Sequence, residues 1–140
     1  MWDEDQQILA RTIYGEARGE YTRSDGGLAS LIAVGNVVMN RTRHQKRFGQ
    51  NMRDVCLKPY QFSCWNKGDP NLDKLMTIKG SDPLFNMCLE VAQHVMEGTW
   101  PDLTKGSDHY HATYVAPYWA KGQKPSLKLG RHVFYKLVEG

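Results

Sequence analysis

Glu16 is the side chain around which chemistry can be organised. It lies in Ile13-Tyr14-Gly15-Glu16-Ala17-Arg18-Gly19-Glu20, which reads as a helix end running into a glycine-rich turn. Upstream, Ile8, Leu9, Thr12, Ile13 and Ala17 recur at helical spacing and make one buried face. Glu16 follows Thr12 by one turn and therefore stands at the border of that face. Half-burial against apolar neighbours disfavours an ionised carboxyl, which suits a general acid working near neutral pH. Glycoside cleavage usually takes two carboxyls, and Glu20, Asp25 and Asp108 are the candidates for a second. Glu20 is one turn on but beyond a glycine, so an exposed position is expected for it. One acid suffices if the sugar's own hydroxyl attacks, because that attack is intramolecular.

Histidine and cysteine offer other chemistries. His109 and His111 alternate along an extended segment and so share a face. With His132 from a neighbouring strand they could make a three-histidine zinc site, as in an amidase or peptidase. No H-E-x-x-H or comparable helical motif accompanies them, and neither a metal nor another cofactor is expected. Cys64 with His111 as a thiol peptidase lacks a third group to orient the histidine. The three cysteines are an odd number, against a disulfide framework. Cys88 reads as a small core residue, and a Cys56–Cys64 bridge is left open.

These side chains need elements to hold them. A first helix is expected over residues 4–18, capped by Asp3 or Asp5. Ser24 or Asp25 can cap a second over 28–43. Leu28, Leu31, Ile32, Ala33, Val34, Val37, Val38 and Met39 make it apolar nearly all round, hence central and buried. Gly35 in its middle is unfavourable by about 1 kcal/mol relative to Ala and points to a close approach by the helix that carries Glu16. Asn36 and Asn40 either face that helix and the ligand or cap nearby loops. Residues 41–47 read as a solvated, basic helix end. Residues 48–80 lack periodicity, which marks a functional stretch in a compact domain. Within them Tyr60-Gln61-Phe62-Ser63-Cys64-Trp65 reads as a short strand or turn, with Phe62 and Cys64 on one side and Gln61 and Ser63 on the other. Asp82 and Pro83 start a helix with the buried stripe Leu84, Cys88, Val91 and Val95, and Gly98 ends it. Residues 109–115 and 132–138 read as two antiparallel strands.

Taken in order, several of these pieces resemble the cell-wall hydrolase family typified by the spore-cortex-lytic enzymes (SleB-like). They are Gly15-Glu16-Ala17-Arg18-Gly19-Glu20, Ala33-Val34-Gly35-Asn36-Val37-Val38-Met39-Asn40-Arg41, the segment from Tyr60 to Trp65, His109-Tyr110-His111-Ala112, Pro117-Tyr118-Trp119-Ala120, and Leu129-Gly130-Arg131-His132-Val133-Phe134-Tyr135. The resemblance spans residues 9–135. It implies an α+β, lysozyme-like fold: a helical core with a small antiparallel sheet flanking the substrate cleft. The implied activity is cleavage of the peptidoglycan glycan strand between MurNAc and GlcNAc, as a lytic transglycosylase leaving 1,6-anhydro ends. Glu16 matches the family's catalytic glutamate. Hydrolysis with Glu20 or Asp25 as second acid is the alternative.

Gln-Phe-Ser followed by Trp is similar also to the resuscitation-promoting branch of the lysozyme superfamily, in which this element lines the groove opposite the acid. Gln61, Phe62, Ser63 and Trp65 are carried over as substrate-binding on that resemblance. The Gln61 amide can both donate to and accept from an N-acetyl group, and Trp65 can stack on a sugar ring. Tyr110, His111, Tyr114, Tyr118 and Trp119 are expected to form the aromatic wall. No wall-binding repeat is visible, so spore-cortex recognition does not transfer.

Composition sets the outer limits. A chain of 140 residues fits one domain over 1–140, and 41% hydrophobic with 24% charged residues excludes disorder. A net charge of +3 suits an anionic polymer such as peptidoglycan. No nucleic-acid motif accompanies it, and no apolar stretch nears the roughly 20 residues of a membrane span. The N-terminus has no signal-peptide pattern. The expectation is therefore a monomeric phage endolysin, made in the cytoplasm and acting on the wall after release.

Overall fold

The computed structural model describes residues 2–59 and 61–138, apart from the side chains of Trp2 and Asp3. Tyr60 and the proposed Asp3 cap therefore lie outside the described residues. Helices α1 (Trp2–Ala17), α2 (Leu28–Thr42) and α6 (Pro83–Glu97) pack against one another, with short helices α3 (Gln45–Phe48), α4 (Met52–Leu57) and α5 (Leu72–Thr77) between. Strands β1 (His109–Ala112), β2 (Leu127–Leu129) and β3 (His132–Tyr135) form an antiparallel sheet in the order β1-β3-β2. The strands expected over 109–115 and 132–138 are present as the shorter β1 and the central β3, whereas β2, with three residues, carries too little alternation to show in the sequence.

The apolar circumference of α2 has a direct cause. Leu31, Val34 and Val38 join Ile8, Leu9 and Ile13 of α1 and Phe85, Cys88 and Val91 of α6 in the main core. Ala33 and Val37 turn the other way and meet Phe134 of the sheet. The helix is thus sandwiched between two layers. A Cβ on Gly35 would lie 3.3 Å from both Ile13 Cδ1 and Val95 Cγ2, the close approach its position implied. Asn36 and Asn40 turn out to serve a loop: Asn36 Oδ1 accepts from Leu103 N–H, and Asn40 Nδ2 donates to Asp102 Oδ2 and to the Ser107 carbonyl.

Start and stop signals held best at α6, where Asp82 Oδ1 accepts from the Leu84 and Phe85 N–H groups, Pro83 opens the helix and Gly98 ends it at φ +72°. They failed at α2, which begins after Gly27 with no side-chain cap rather than at Ser24 or Asp25. Beyond α1 the chain tightens into a 3-10 turn, Arg18–Glu20, instead of a loop. Residues 48–80 hold α4, α5 and the 3-10 turn Ser63–Trp65, each too short for a hydrophobic period to show.

Candidate active site

Glu16 occupies the last turn of α1, half-buried where the helices meet the sheet. Tyr110 Oη on β1 donates a hydrogen bond to Oε1. The backbone N–H of Cys64 lies 3.4 Å from Oε2 and donates to it. Gly15 makes the second contact feasible, because a Cβ there would sit 2.6 Å from Cys64 Cβ and 2.7 Å from its Sγ. One turn earlier, Thr12 Oγ1 donates to the Ile8 carbonyl and accepts from Trp65 Nε1 at 2.8 Å. The 3-10 turn Ser63–Trp65 is therefore tied to α1 at Cys64 and at Trp65. Burial, and then the Glu16 carboxylate beside it, raise the Tyr110 hydroxyl well above the usual phenol range. It remains a proton donor at any physiological pH.

The other acids are engaged elsewhere. Glu20 is buried rather than exposed: it accepts from the Arg131 backbone N–H at 2.7 Å and from Arg131 Nε at 2.8 Å, and pairs with its Nη2 at 2.6 Å. Burial pushes its carboxyl up, but these Arg131 contacts outweigh it and hold the group below the usual carboxylate range. Asp25 is exposed and forks onto Arg23 at 2.9 and 3.0 Å. Asp108 is buried under the sheet, accepting from His109 and from the Leu137 and Val138 N–H groups. Glu20 and Asp25, the candidate second acids of the hydrolytic alternative, are both engaged in ion pairs with arginine.

Strand register divides the aromatic residues. His109 pairs with Tyr135, His111 with Val133, and Ala112 with His132. Alternation therefore puts Tyr110, His132 and Phe134 on the helix-facing side, and His109, His111 and Tyr135 on the other. His111 Nε2 lies 2.9 Å from the Tyr135 hydroxyl, and Trp119 packs edge-on against both rings. The three histidines do not converge, which removes the zinc alternative. Tyr114 and Tyr118 are 81% and 90% exposed, so the expected wall is split among two sheet faces and the solvent. Burial pushes the Cys56 and Cys88 thiols up to about 12 and Cys64 higher still, and all three are unbridged. His111 lies across the sheet from Glu16 and the adjoining Cys64, so Cys64 and His111 do not form a thiol–histidine pair.

Within the Gln61–Trp65 segment, burial alternates as expected but the roles change. Phe62 is buried core. The Gln61 Nε2 group donates to the Val55 carbonyl at 2.7 Å and the Phe48 carbonyl at 3.4 Å, so the amide ties the chain instead of facing a ligand. Ser63 is exposed beside the Cys64 N–H, and Trp65 lines a recess of about 260 Å³ with Leu57, Pro59, Asn66 and Lys67. Arg41 was expected in solvent; it is buried, its Nε donating to the Asp108 carbonyl at 2.7 Å and its guanidinium lying over Phe48 and Phe62. Its charge acts on Tyr110, Asp108 and Glu16. The parts Gly15, Thr12 and Arg41 play in the site were not foreseen from the sequence. Only Gly15 carried a signal, a glycine inside a helix immediately before the acid.

A helical core, a small antiparallel sheet and an acid held at their junction define a lysozyme-like α+β fold. A family model described as cell wall hydrolase matches residues 27–135. The chain belongs to the cell wall hydrolase family, and its substrate class is peptidoglycan. That match begins after Glu16; the structural likeness includes nearly all of the chain. The fold is similar to the catalytic domain of the Bacillus cereus SleB protein, at 23% identity, 94% coverage of this chain, 89% of that one and a TM-score of 0.73. It is equally similar to the catalytic domain of the germination-specific lytic transglycosylase SleB from Bacillus anthracis: 22% identity, 96% and 95% coverage, TM-score 0.73. A comparison with curated proteins found no match.

Proposed function

We propose that the chain cleaves the glycan strand of peptidoglycan between MurNAc and GlcNAc as a lytic transglycosylase, with Glu16 as both acid and base. The observation that carries the proposal is the double anchorage of Glu16 by Tyr110 and the Cys64 N–H, while Glu20, Asp25 and Asp108 are each held in other contacts. Protonated Glu16 gives its proton to the glycosidic oxygen as the C1–O bond breaks. The resulting carboxylate takes the proton of the same muramic residue's 6-hydroxyl, whose oxygen closes on C1. The ring formed is the 1,6-anhydro end, and no water is consumed. Intramolecular attack of this kind carries effective molarities of about 10⁵ M or more. Ser63 is exposed next to the Cys64 N–H that holds Glu16, and the Trp65 indole, in its recess, offers a face for a sugar ring.

The lytic transglycosylase named among the structural relatives supports the same chemistry. Hydrolysis would need a second carboxylate to position water, and the candidates are engaged. Mass analysis of muropeptides released from purified sacculi tests this directly. Ends lighter by one water than lysozyme products and resistant to borohydride are expected; mainly reducible muramic ends would mean hydrolysis. Glu16→Gln should lose at least about a hundredfold in activity with unchanged melting, and near-normal clearing by that variant would remove Glu16 from the mechanism. The use we propose is bacterial lysis by a monomeric phage endolysin. Cells expressing it in the cytoplasm should stay intact until their inner membrane is permeabilised, and then lyse.

A further inference from the structure

Positive charge is concentrated between α2 and the Gln61–Trp65 segment. Over residues 43–58, Arg43, Lys46, Arg47, Arg53 and Lys58 face one acid, Asp54, whereas the whole chain has a net charge of +3. Helix α3 borders two recesses. One of about 530 Å³ has Lys46, Arg47, Arg53 and Lys58 around Phe48 and Leu57, with Asp54 also in its wall. A second, of about 340 Å³, shares Lys46 and Arg47 and adds Arg43. All five cations are exposed. Arg53 reaches Glu4 at 3.5 Å, and Lys58 Nζ lies 3.5 Å from the Arg47 carbonyl. Lys46 and Arg47 have no carboxylate partner among the described residues. Like charges grouped in this way repel one another, and two exposed acids, Glu4 and Asp54, offset them only in part.

The larger recess shares Leu57 and Pro59 with the recess lined by Trp65, whose indole is tied to α1 one turn before Glu16. Gln61 Nε2 donates to the Phe48 carbonyl, three residues before the Cys64 N–H that holds Glu16. A strand of neutral sugar rings offers nothing to four cations. The peptide stems borne by muramic acid do, since they carry free carboxylates at a distance from the glycosidic bond. We infer that this basic recess binds the stem carboxylates of the strand being cut. Arg47 and Arg53 can grip a carboxylate with two parallel N–H donors, and Lys46 and Lys58 add point charge. The inference rests on the glycan-cleaving reading for the identity of the polymer.

Binding to purified sacculi at low ionic strength tests it with no need for turnover. Three preparations are compared: untreated, stripped of phosphate polymers with hydrofluoric acid, and amidated at their carboxylates. Binding by the native chain should survive the acid treatment and fall about tenfold on amidation, the scale of a few exposed ion contacts. Lys46→Glu with Arg47→Glu should show that tenfold loss on untreated sacculi and no further loss on amidated ones. Lys46→Gln with Arg47→Gln should fall between, with both variants melting like the native chain. Added salt should weaken native binding and leave the reversed variant little changed. Binding that follows phosphate removal instead of amidation, or charge-reversed protein that binds like native, overturns the inference. If binding follows the carboxylates while released products lack any cleaved muramic end, the recess stands and the reading of Glu16 fails.

Discussion

A carboxyl that gives a proton and then takes one back must stay in place while its charge changes. Tyr110 is suited to holding it, because its hydroxyl stays protonated and donates to Glu16 in the ionised state. Tyr110→Phe keeps the ring against His132 and Phe134 and removes only the donor. Turnover should fall about a hundredfold, the scale of a 1 Å misplacement, while melting shifts by no more than a few degrees. Native turnover in that variant would show that Tyr110 does not position the acid. Glu20 should behave in the opposite way. Glu20→Gln leaves Arg131 with a weaker acceptor and should cost about 1–3 kcal/mol of stability, or several degrees in Tm, with turnover per folded molecule retained. A Glu20 variant that melts normally but stops cleaving would make it the second acid after all.

Among the elements, the fit of α1 against the Ser63–Trp65 turn sets the site. The contact depends on the missing side chain at Gly15. Gly15→Ala should force that turn outward, break the Cys64 N–H contact to Glu16, and cost about 1–3 kcal/mol by overpacking. Adding Cys64→Gly removes the two closest atoms the new methyl meets, leaving only Leu75 Cδ1 at 3.1 Å to shift, and should recover part of the lost stability, a coupling a double-mutant cycle reads out. Additive losses would mean the crowding lies elsewhere. Gly35, by contrast, was legible because the helix around it is long and apolar. The partner of Gly15 was not, since Cys64 lies in a turn of three residues with no period to place it.

For the whole molecule, the buried Glu20, Asp108 and His132, together with the exposed Asp102, predict a pH profile. Asp102, Asp108 and Glu20 all sit below the usual carboxylate range: burial opposes this, and the hydrogen bonds and ion pairs they accept outweigh it. Burial also lowers His132, with the negative charges of Glu20 and Glu16 opposing. Each of these groups binds a proton more readily unfolded than folded, so each adds stability that is full above its unfolded value and lost as pH falls. Tm should be level above about pH 7, decline first below about 6.5 as unfolded histidine titrates, and drop further below about 4. His132→Phe should abolish the first decline and leave the second. A native Tm that rises between pH 7 and 5 would contradict the assignment of a neutral, buried His132.

Apolar spacing over four or more turns states which face is buried, so α1, α2 and α6 are legible in the sequence, and Asp82, Pro83 and Gly98 mark ends by local chemistry. The same spacing places Glu16 at the edge of such a face. Pairings without a local signature emerge only when the elements dock. Glu20 meets Arg131 across 111 positions, and nothing near either residue announces the other. Strand register sent His132 to one side of the sheet and His109 and His111 to the other, a matter of one residue's offset. Arg41 left the basic run for the interior because two phenyl rings and the Asp108 carbonyl were there to receive it. Periodicity encodes exposure along one element; which groups meet across elements depends on how those elements dock.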